Sequence, residues 1–201
     1  MNKSSPLFFF TLLILVIGCF YAQPTAGNKC PQITTPNVDV PRYLGVWYEI
    51  SSSAAIRETF ERNCLCTNAQ YTLSNTTEGA LVVNNECRKK NVTNPWQVAI
   101  GQATVPNLNE TGKLQVTFGA SPPAPYWIIL VDQVSYSWAV VWSCESFFGI
   151  EGYTLWILSR TPTMEQSLYD ELTAQASKLT GIDAQKELIP TVQGPQCNYN
   201  R

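Results

Sequence analysis

Lys113-Leu114-Gln115-Val116-Thr117-Phe118 alternates polar and apolar residues over its whole length. A period of two puts Leu114, Val116 and Phe118 on one face and the polar residues on the other, the pattern of a strand buried on one side. Seven further segments of strand character surround it: Gly45 to Ser52, Cys66 to Ser74, Ala80 to Arg88, Trp96 to Thr104, Tyr126 to Gln133, Tyr136 to Trp142 and Tyr153 to Arg160. Trp96, Val98 and Ile100 share a parity, as do Tyr136, Trp138, Val140 and Trp142. Tyr153 to Arg160 is apolar on both parities, which predicts that both of its faces are covered. Turn chemistry separates the segments at Glu78-Gly79, at Glu110-Thr111-Gly112, from Gly119 to Pro125 and from Gly149 to Gly152. Short connections favour antiparallel neighbours, and eight strands about 10–15 residues apart predict a sandwich or an up-and-down barrel.

One helix breaks the pattern after the eighth strand. Thr163 with Gln166 reads as a capping box, with Pro162 before it. Leu168, Leu172, Ala176 and Leu179 then form one apolar stripe, Lys178 falls in the last turn and Gly181 supplies the stop. Such a helix is expected to dock on the outside of the sheet.

Composition narrows the function. The 201 residues contain no histidine, which removes Ser-His-Asp and Cys-His nucleophiles, imidazole bases and His-ligated metals. Thirteen Lys and Arg stand against fifteen Asp and Glu, and charged residues make up only 14%. No basic surface for a nucleic-acid backbone follows from that. Hydrophobic residues at 45% and aromatics at 11% describe a folded chain.

Leu7 to Ile17 is an apolar run broken only by Thr11, preceded by Lys3 and followed by Gly18, Cys19 and Ala22. It reads as a signal peptide over residues 1–22, leaving one domain over 23–201, secreted and extracellular. The run is shorter than the roughly 20 residues of a membrane span, so no stable membrane insertion is expected. Val16-Ile17-Gly18-Cys19 also resembles a bacterial lipoprotein box, the alternative being a lipid-anchored envelope protein. Six cysteines follow the signal: Cys30, Cys64, Cys66, Cys87, Cys144 and Cys197. An even number in an exported chain predicts pairing, with fifteen possible connectivities. Cys64-x-Cys66 is too tight for zinc, and neither a metal nor a cofactor is expected. Sequons at Asn75, Asn91 and Asn109 predict glycosylation, whereas Pro95 disqualifies Asn94. On oligomeric state the sequence is silent.

Gly45-Val46-Trp47-Tyr48-Glu49-Ile50 at the first strand and Arg160 at the end of the eighth resemble the lipocalin pattern. Val131-Asp132-Gln133 resembles that family's central T-D-Y motif with both neighbours changed. Lys29-Cys30-Pro31, Arg42-Tyr43-Leu44-Gly45, the stretch from Cys66 to Tyr71, that from Ala124 to Leu130, Trp142-Ser143-Cys144 and that from Leu155 to Arg160 narrow the likeness. They are similar to the branch holding apolipoprotein D, the insect bilin-binding proteins and the bacterial outer-membrane lipocalin, from about Cys30 to Cys197. The resemblance implies an all-β, eight-stranded antiparallel barrel with one helix outside and a floor where Arg160 lies over Trp47. It also implies Cys30 bonded to Cys144 and Cys66 to Cys197. Cys64 and Cys87 are left for a third bridge between neighbouring strands, with Cys87 to Cys197 as the competing pairing.

The function implied is transport of a small hydrophobic ligand: a fatty acid, a steroid or a linear tetrapyrrole such as biliverdin. Arg160 must reach the floor, so Trp156 and Leu158 are expected to face inward, and the same parity nominates Tyr71, Phe118 and Trp138 as wall residues. Asp132 reads as a turn or floor acceptor. The pairs Glu145/Glu151 and Asp170/Glu171 fall in a loop and on the helix and read as solvated charges. No catalytic residue is assigned. The competing class is a thiol-dependent lipid isomerase, which needs Cys64 or Cys66 free.

Overall fold

The computed structural model describes residues 30–147 and 150–199; the signal segment, Cys19 and the cleavage after Ala22 lie outside them. All eight strands are present: β1 (Gly45–Ser53), β2 (Cys64–Leu73), β3 (Leu81–Lys89), β4 (Trp96–Thr104), β5 (Lys113–Phe118), β6 (Ala124–Val131), β7 (Trp138–Phe147) and β8 (Ile150–Ser159). Each is antiparallel to the next, and β1 pairs with both β8 and β2, so the sheet closes on itself. A sandwich is thereby removed. The loops β1–β2, β3–β4 and β5–β6 gather at one end, the mouth. A helical turn α1 (Val40–Tyr43), the loops β2–β3, β4–β5 and β6–β7, and Arg160 gather at the other, the floor.

Direct partners on neighbouring strands share a face, and the register therefore sorts the side chains. Trp47 pairs with Ala69, Ala69 with Asn85 and Asn85 with Ala99; Tyr71 pairs with Val83, Val83 with Gly101 and Gly101 with Phe118. Val141 pairs with Trp156 and Ala139 with Leu158. These line the interior, where Trp47, Tyr71, Leu81, Val83, Leu114, Ile128 and Leu158 are buried.

Trp138 corrects the sequence reading. It pairs with Ser159, the opposite parity from Leu158, and packs outside with Val140 and Trp142. Tyr136, whose ring is in the inner core, takes a φ of 54°. That left-handed residue interrupts the alternation, so a parity counted from Tyr136 through Trp142 fails after its first member.

The helix α3 (Gln166–Thr180) covers this outer face, and Leu172 and Ala176 join Ile129, Val140, Trp142, Leu155 and Ile157 in a second buried cluster. Both faces of β8 are thus covered. The helix starts later than expected, with Glu165 rather than Thr163 at its N-cap and no side-chain cap. Met164 packs against the outer cluster, which keeps the preceding chain on the sheet. Leu179 is 38% exposed and Thr180 is buried in its stead, because four-residue steps from Leu172 and Ala176 arrive at Thr180. Gly181 stops the helix at a φ of 78°.

Three disulfides fix the remainder: Cys30–Cys144, Cys66–Cys197 and Cys64–Cys87, with Cα separations of 5.6, 5.5 and 5.4 Å. Cys87 is thus joined to its strand neighbour and not to the tail. A short helix α2 (Ala54–Glu58) follows β1. After a further turn α4 (Ala184–Glu187), a ninth strand β9 (Leu188–Pro190) pairs with Ser51–Ser53 of β1. The tail beyond it wedges between β1 and β2. Val192 O accepts from Cys66 N at 2.8 Å, and Gln193 Nε2 donates to Glu49 O and Thr67 O at 2.7 Å each.

Candidate binding site in the upper barrel

The floor is sealed by one cation. The Arg160 guanidinium lies 3.8 Å from the centroid of the Trp47 ring. Its N–H groups donate to the carbonyls of Tyr136 (3.1 Å), Val46 (2.8 Å), Arg42 (2.9 Å) and Leu44 (2.8 Å). Trp47 Nε1 donates to Tyr43 O at 2.8 Å. Asp132 holds the β6–β7 loop beside it, accepting from the backbone N–H of Val134, Ser135 and Ser137 and from both serine hydroxyls. Bonds from Ser135 and Ser137 hold its carboxyl well below the usual range.

Above the floor the interior is filled by its own rings. Ring centroids step from Trp47 to Tyr43 (4.8 Å), Tyr43 to Tyr71 (5.4 Å), Tyr71 to Tyr126 (6.1 Å) and Tyr126 to Trp156 (6.4 Å). The Tyr71 hydroxyl donates to Tyr126 Oη at 2.7 Å, and the Tyr126 and Tyr43 hydroxyls share a 2.9 Å bond in which either can donate. Burial pushes Tyr71 up to about 12, and Tyr43 and Tyr126 well above the usual phenol range. These rings and the buried side chains around them fill the lower half of the barrel.

The upper half is different. Val116, Phe118, Asn85 and Trp156 face inward yet keep partial solvent contact, and Ala99 is exposed. The wall is also cut down on one side. β5 pairs with β4 only over Gly101–Thr104, and β6 meets β7 no further up than Trp142, so the upper parts of β4 and β7 stand apart. Phe118 is seated on Gly101, where an added Cβ would come 2.7 Å from its ring. The result is an open cup above a tyrosine layer, walled by Trp156 and Phe118.

A buried polar cluster sits beside those rings. Glu49 is 2% exposed. Ser52 Oγ lies 3.1 Å from both Glu49 Oε1 and Glu61 Oε2, and Trp156 Nε1 donates to Glu61 Oε1 at 3.2 Å. Arg57 Nη1 is 3.7 Å from Glu49, which also accepts from the Thr191 hydroxyl. Burial and then repulsion from Glu49 raise the Glu61 carboxyl well above its ordinary value; the Trp156 bond and Arg57 pull less strongly the other way. Burial thus favours the uncharged form of Glu61, whose carboxyl holds the Trp156 indole N–H at the edge of the upper barrel.

Of the residues nominated from sequence, Trp156 and Phe118 reach the open cup. Leu158 is buried beneath Trp156, Tyr71 belongs to the sealing layer, and Trp138 is outside. Trp47 and Arg160 meet at the floor. Glu49, Ser52, Glu61, Tyr43 and Tyr126 were not foreseen. Glu61 carried no signal, since a charged loop residue reads as solvated, whereas the inward parity of Glu49 two residues after Trp47 was countable. Cys64 and Cys66 are both bridged, so neither is the free thiol an isomerase needs. Two clefts of about 540 and 280 Å³ lie outside the barrel, one at the floor between Arg42, Leu108 and Tyr136, the other between Trp138 and Leu168. Among the described residues no group of His, Cys, Asp and Glu could hold a metal.

Comparison with known proteins agrees with this geometry. Apolipoprotein D of Rattus norvegicus is 39% identical over 174 residues, 85% of this chain and 85% of its own. The outer membrane lipoprotein Blc of Vibrio cholerae serotype O1 is 30% identical over 164 residues, 79% of this chain and 88% of its own. Among solved structures, insecticyanin from the tobacco hornworm Manduca sexta has a TM-score of 0.68 at 22% identity, covering 86% of this chain and 91% of that one. H1 crustacyanin from the lobster Homarus americanus has a TM-score of 0.67 at 22% identity, covering 86% and 92%. At that identity the two structures speak for the fold alone. The lipocalin-like domain family matches residues 38–193. With a closed antiparallel ring, a cation-sealed floor and relatives of this identity and coverage, the chain belongs to the lipocalin family.

Proposed function

We propose that the protein is a secreted, glycosylated carrier of a small hydrophobic molecule, held in the upper barrel with its apolar body against Trp156 and Phe118. The observation that carries this reading is Trp156: an inward-facing indole, still touched by solvent, directly above a sealed tyrosine layer. Removing about 300 Å² of ligand apolar surface from water contributes roughly 7–8 kcal/mol before the costs of association, which gives useful binding without catalysis. The filled lower half favours a guest that lies across the cup or projects through the low side of the wall over one that descends to the floor. Fatty acids, steroids and linear tetrapyrroles are the classes the family resemblance brings forward. Asn75, Asn91 and Asn109 are all exposed, on the β2–β3, β3–β4 and β4–β5 loops, which supports their use as glycan acceptors.

Titration of the mature protein with a fatty acid, a steroid and biliverdin, followed by tryptophan fluorescence, tests the reading. Saturable quenching by at least one class, weakened tenfold or more in Trp156→Ala, is expected. A panel without saturable binding would overturn it.

A further inference from the structure

We propose that Glu61 is a positioning residue for the guest: its carboxyl fixes the Trp156 ring, and the guest is held less tightly once the proton that Glu61 shares with Glu49 is lost. The inference deepens the carrier reading and rests on it. The arrangement starts from an irregularity in β1. Its register against β8 shifts between Glu49 and Ser51, so that Glu49 pairs with Leu158 and Ser52 with Trp156. Such a shift re-aims side chains, and here it turns two residues three apart to the inner face. The Ser52 hydroxyl lies 3.1 Å from Glu49 Oε1 and 3.1 Å from Glu61 Oε2, while Glu61 Oε1 accepts the Trp156 indole N–H at 3.2 Å. A hydroxyl carries one proton and can donate to one of the two acids only. The second contact is a hydrogen bond only where that carboxyl is protonated and donates to Ser52 Oγ.

The charge balance points the same way. Among the described residues the charged groups facing Glu61 are Glu49 from β1 and Arg57 from α2. β8 contributes the indole, and the chain just beyond β9 contributes the Thr191 hydroxyl, which donates to Glu49. One cation offsets one carboxylate, and the other acid is left to stay neutral, the form that burial favours. With the proton in place, Glu61 joins Ser52 to the indole and holds the ring still. Without it, two like charges stand one hydroxyl apart in a dry interior. Glu49 is fixed by its strand, so relief comes from Glu61 swinging out with the β1–β2 loop. Trp156 then loses its acceptor and the guest loses a fixed wall. An apolar guest dries the cup further and so favours the protonated pair, which links affinity to pH.

Binding of a neutral steroid and of a fatty-acid methyl ester, neither of which titrates, tests this in the mature protein between about pH 5 and about pH 9. In the unaltered protein the dissociation constant should rise with pH, by at most about tenfold per unit for one linked proton. That profile needs no variant. Glu61→Gln keeps a neutral acceptor for the indole, and its binding should stay tight and flat across the range. Glu61→Leu removes the acceptor and should bind about tenfold more weakly than Glu61→Gln at every pH. Arg57→Gln takes the cation from the pair and should move the loss of affinity to higher pH. The ring is also read without a guest, from the Trp156 indole N–H resonance in isotope-labelled protein, identified by its loss in Trp156→Phe. It should shift with pH in the unaltered protein and not in Glu61→Gln. A resonance that titrates in a protein that binds neither probe would overturn the carrier reading and leave Glu61 as the holder of the ring. A dissociation constant flat with pH in the unaltered protein, a resonance indifferent to pH and to Glu61→Leu, or Glu61→Gln as weak as Glu61→Leu would each overturn the proposal itself.

Discussion

Arg160 closes the barrel from inside by stacking 3.8 Å from the Trp47 ring while donating to four backbone carbonyls of α1, β1 and the β6–β7 loop. The stacking is worth about 1–2 kcal/mol when desolvated, and two of the carbonyl bonds lost on its removal, those of Tyr136 and Leu44, are partly buried. Arg160→Ala should therefore destabilise by about 3–4 kcal/mol in urea unfolding, with Arg160→Lys recovering less than half because an ammonium cannot reach four acceptors in a plane. A loss below about 1 kcal/mol would show that the floor does not depend on this residue.

The tyrosine layer predicts a smaller loss for a triple change than for a single one. Tyr126→Phe strands the hydroxyls of Tyr71 and Tyr43 in an apolar interior and should cost about 2–4 kcal/mol. Replacing all three by Phe removes donors and acceptors together and should cost less than the single change. Additive losses in denaturant unfolding would contradict a shared network.

Glu61 gives a pH dependence. Its folded-state value is raised above the ordinary 4.5 by burial and by Glu49, so between those values the folded protein binds more protons than the unfolded one. The associated stability is fully present below about pH 4.5 and is lost as pH rises through the folded value. Glu61→Gln, neutral throughout, should gain on the unaltered protein in Tm as pH goes from about 5 to about 8. A Tm difference independent of pH would mean that Glu61 is not buried beside Glu49.

Asp132 should behave in the reverse sense. Its carboxyl is depressed by Ser135 and Ser137, so its contribution is present above the ordinary 3.8 and is lost as pH falls below it. Asp132→Ala should cost about 1–2 kcal/mol at neutral pH through the loop N–H groups it leaves uncapped, and the gap to the unaltered protein should narrow in acid.

The disulfides differ in the chain they close, 23 residues for Cys64–Cys87 and 131 for Cys66–Cys197. Loop-closure entropy gives about 3.5 and about 5 kcal/mol respectively. The paired serine variants should therefore rank in that order in urea, and the reverse order would require strain or residual structure to dominate.

How much of this was legible follows from what each residue type encodes. Period-two alternation located the strands, and Trp47 with Arg160 located the floor, because both signals are local or carried by order along the chain. Trp138 was misplaced since a single left-handed residue at Tyr136 resets parity, and nothing in the residue type announces it. The filling of the lower barrel escaped for a related reason: Tyr43 lies in a helical turn before the first strand, and its meeting with Tyr71 and Tyr126 depends on register across the ring. Glu61 and the three-residue β9 are fixed by what surrounds them, a buried acid by its partners and a short strand by the gap between β1 and β2.

Native mass spectrometry of the mature protein taken from its source bears most directly on the central claim, an open upper cup above a sealed lower barrel. One small apolar molecule per chain is expected, retained in Trp138→Ala and lost in Trp156→Ala with all six cysteines still bridged. A bound mass unaffected by Trp156→Ala, or a protein that carries nothing and takes up nothing, would contradict the account.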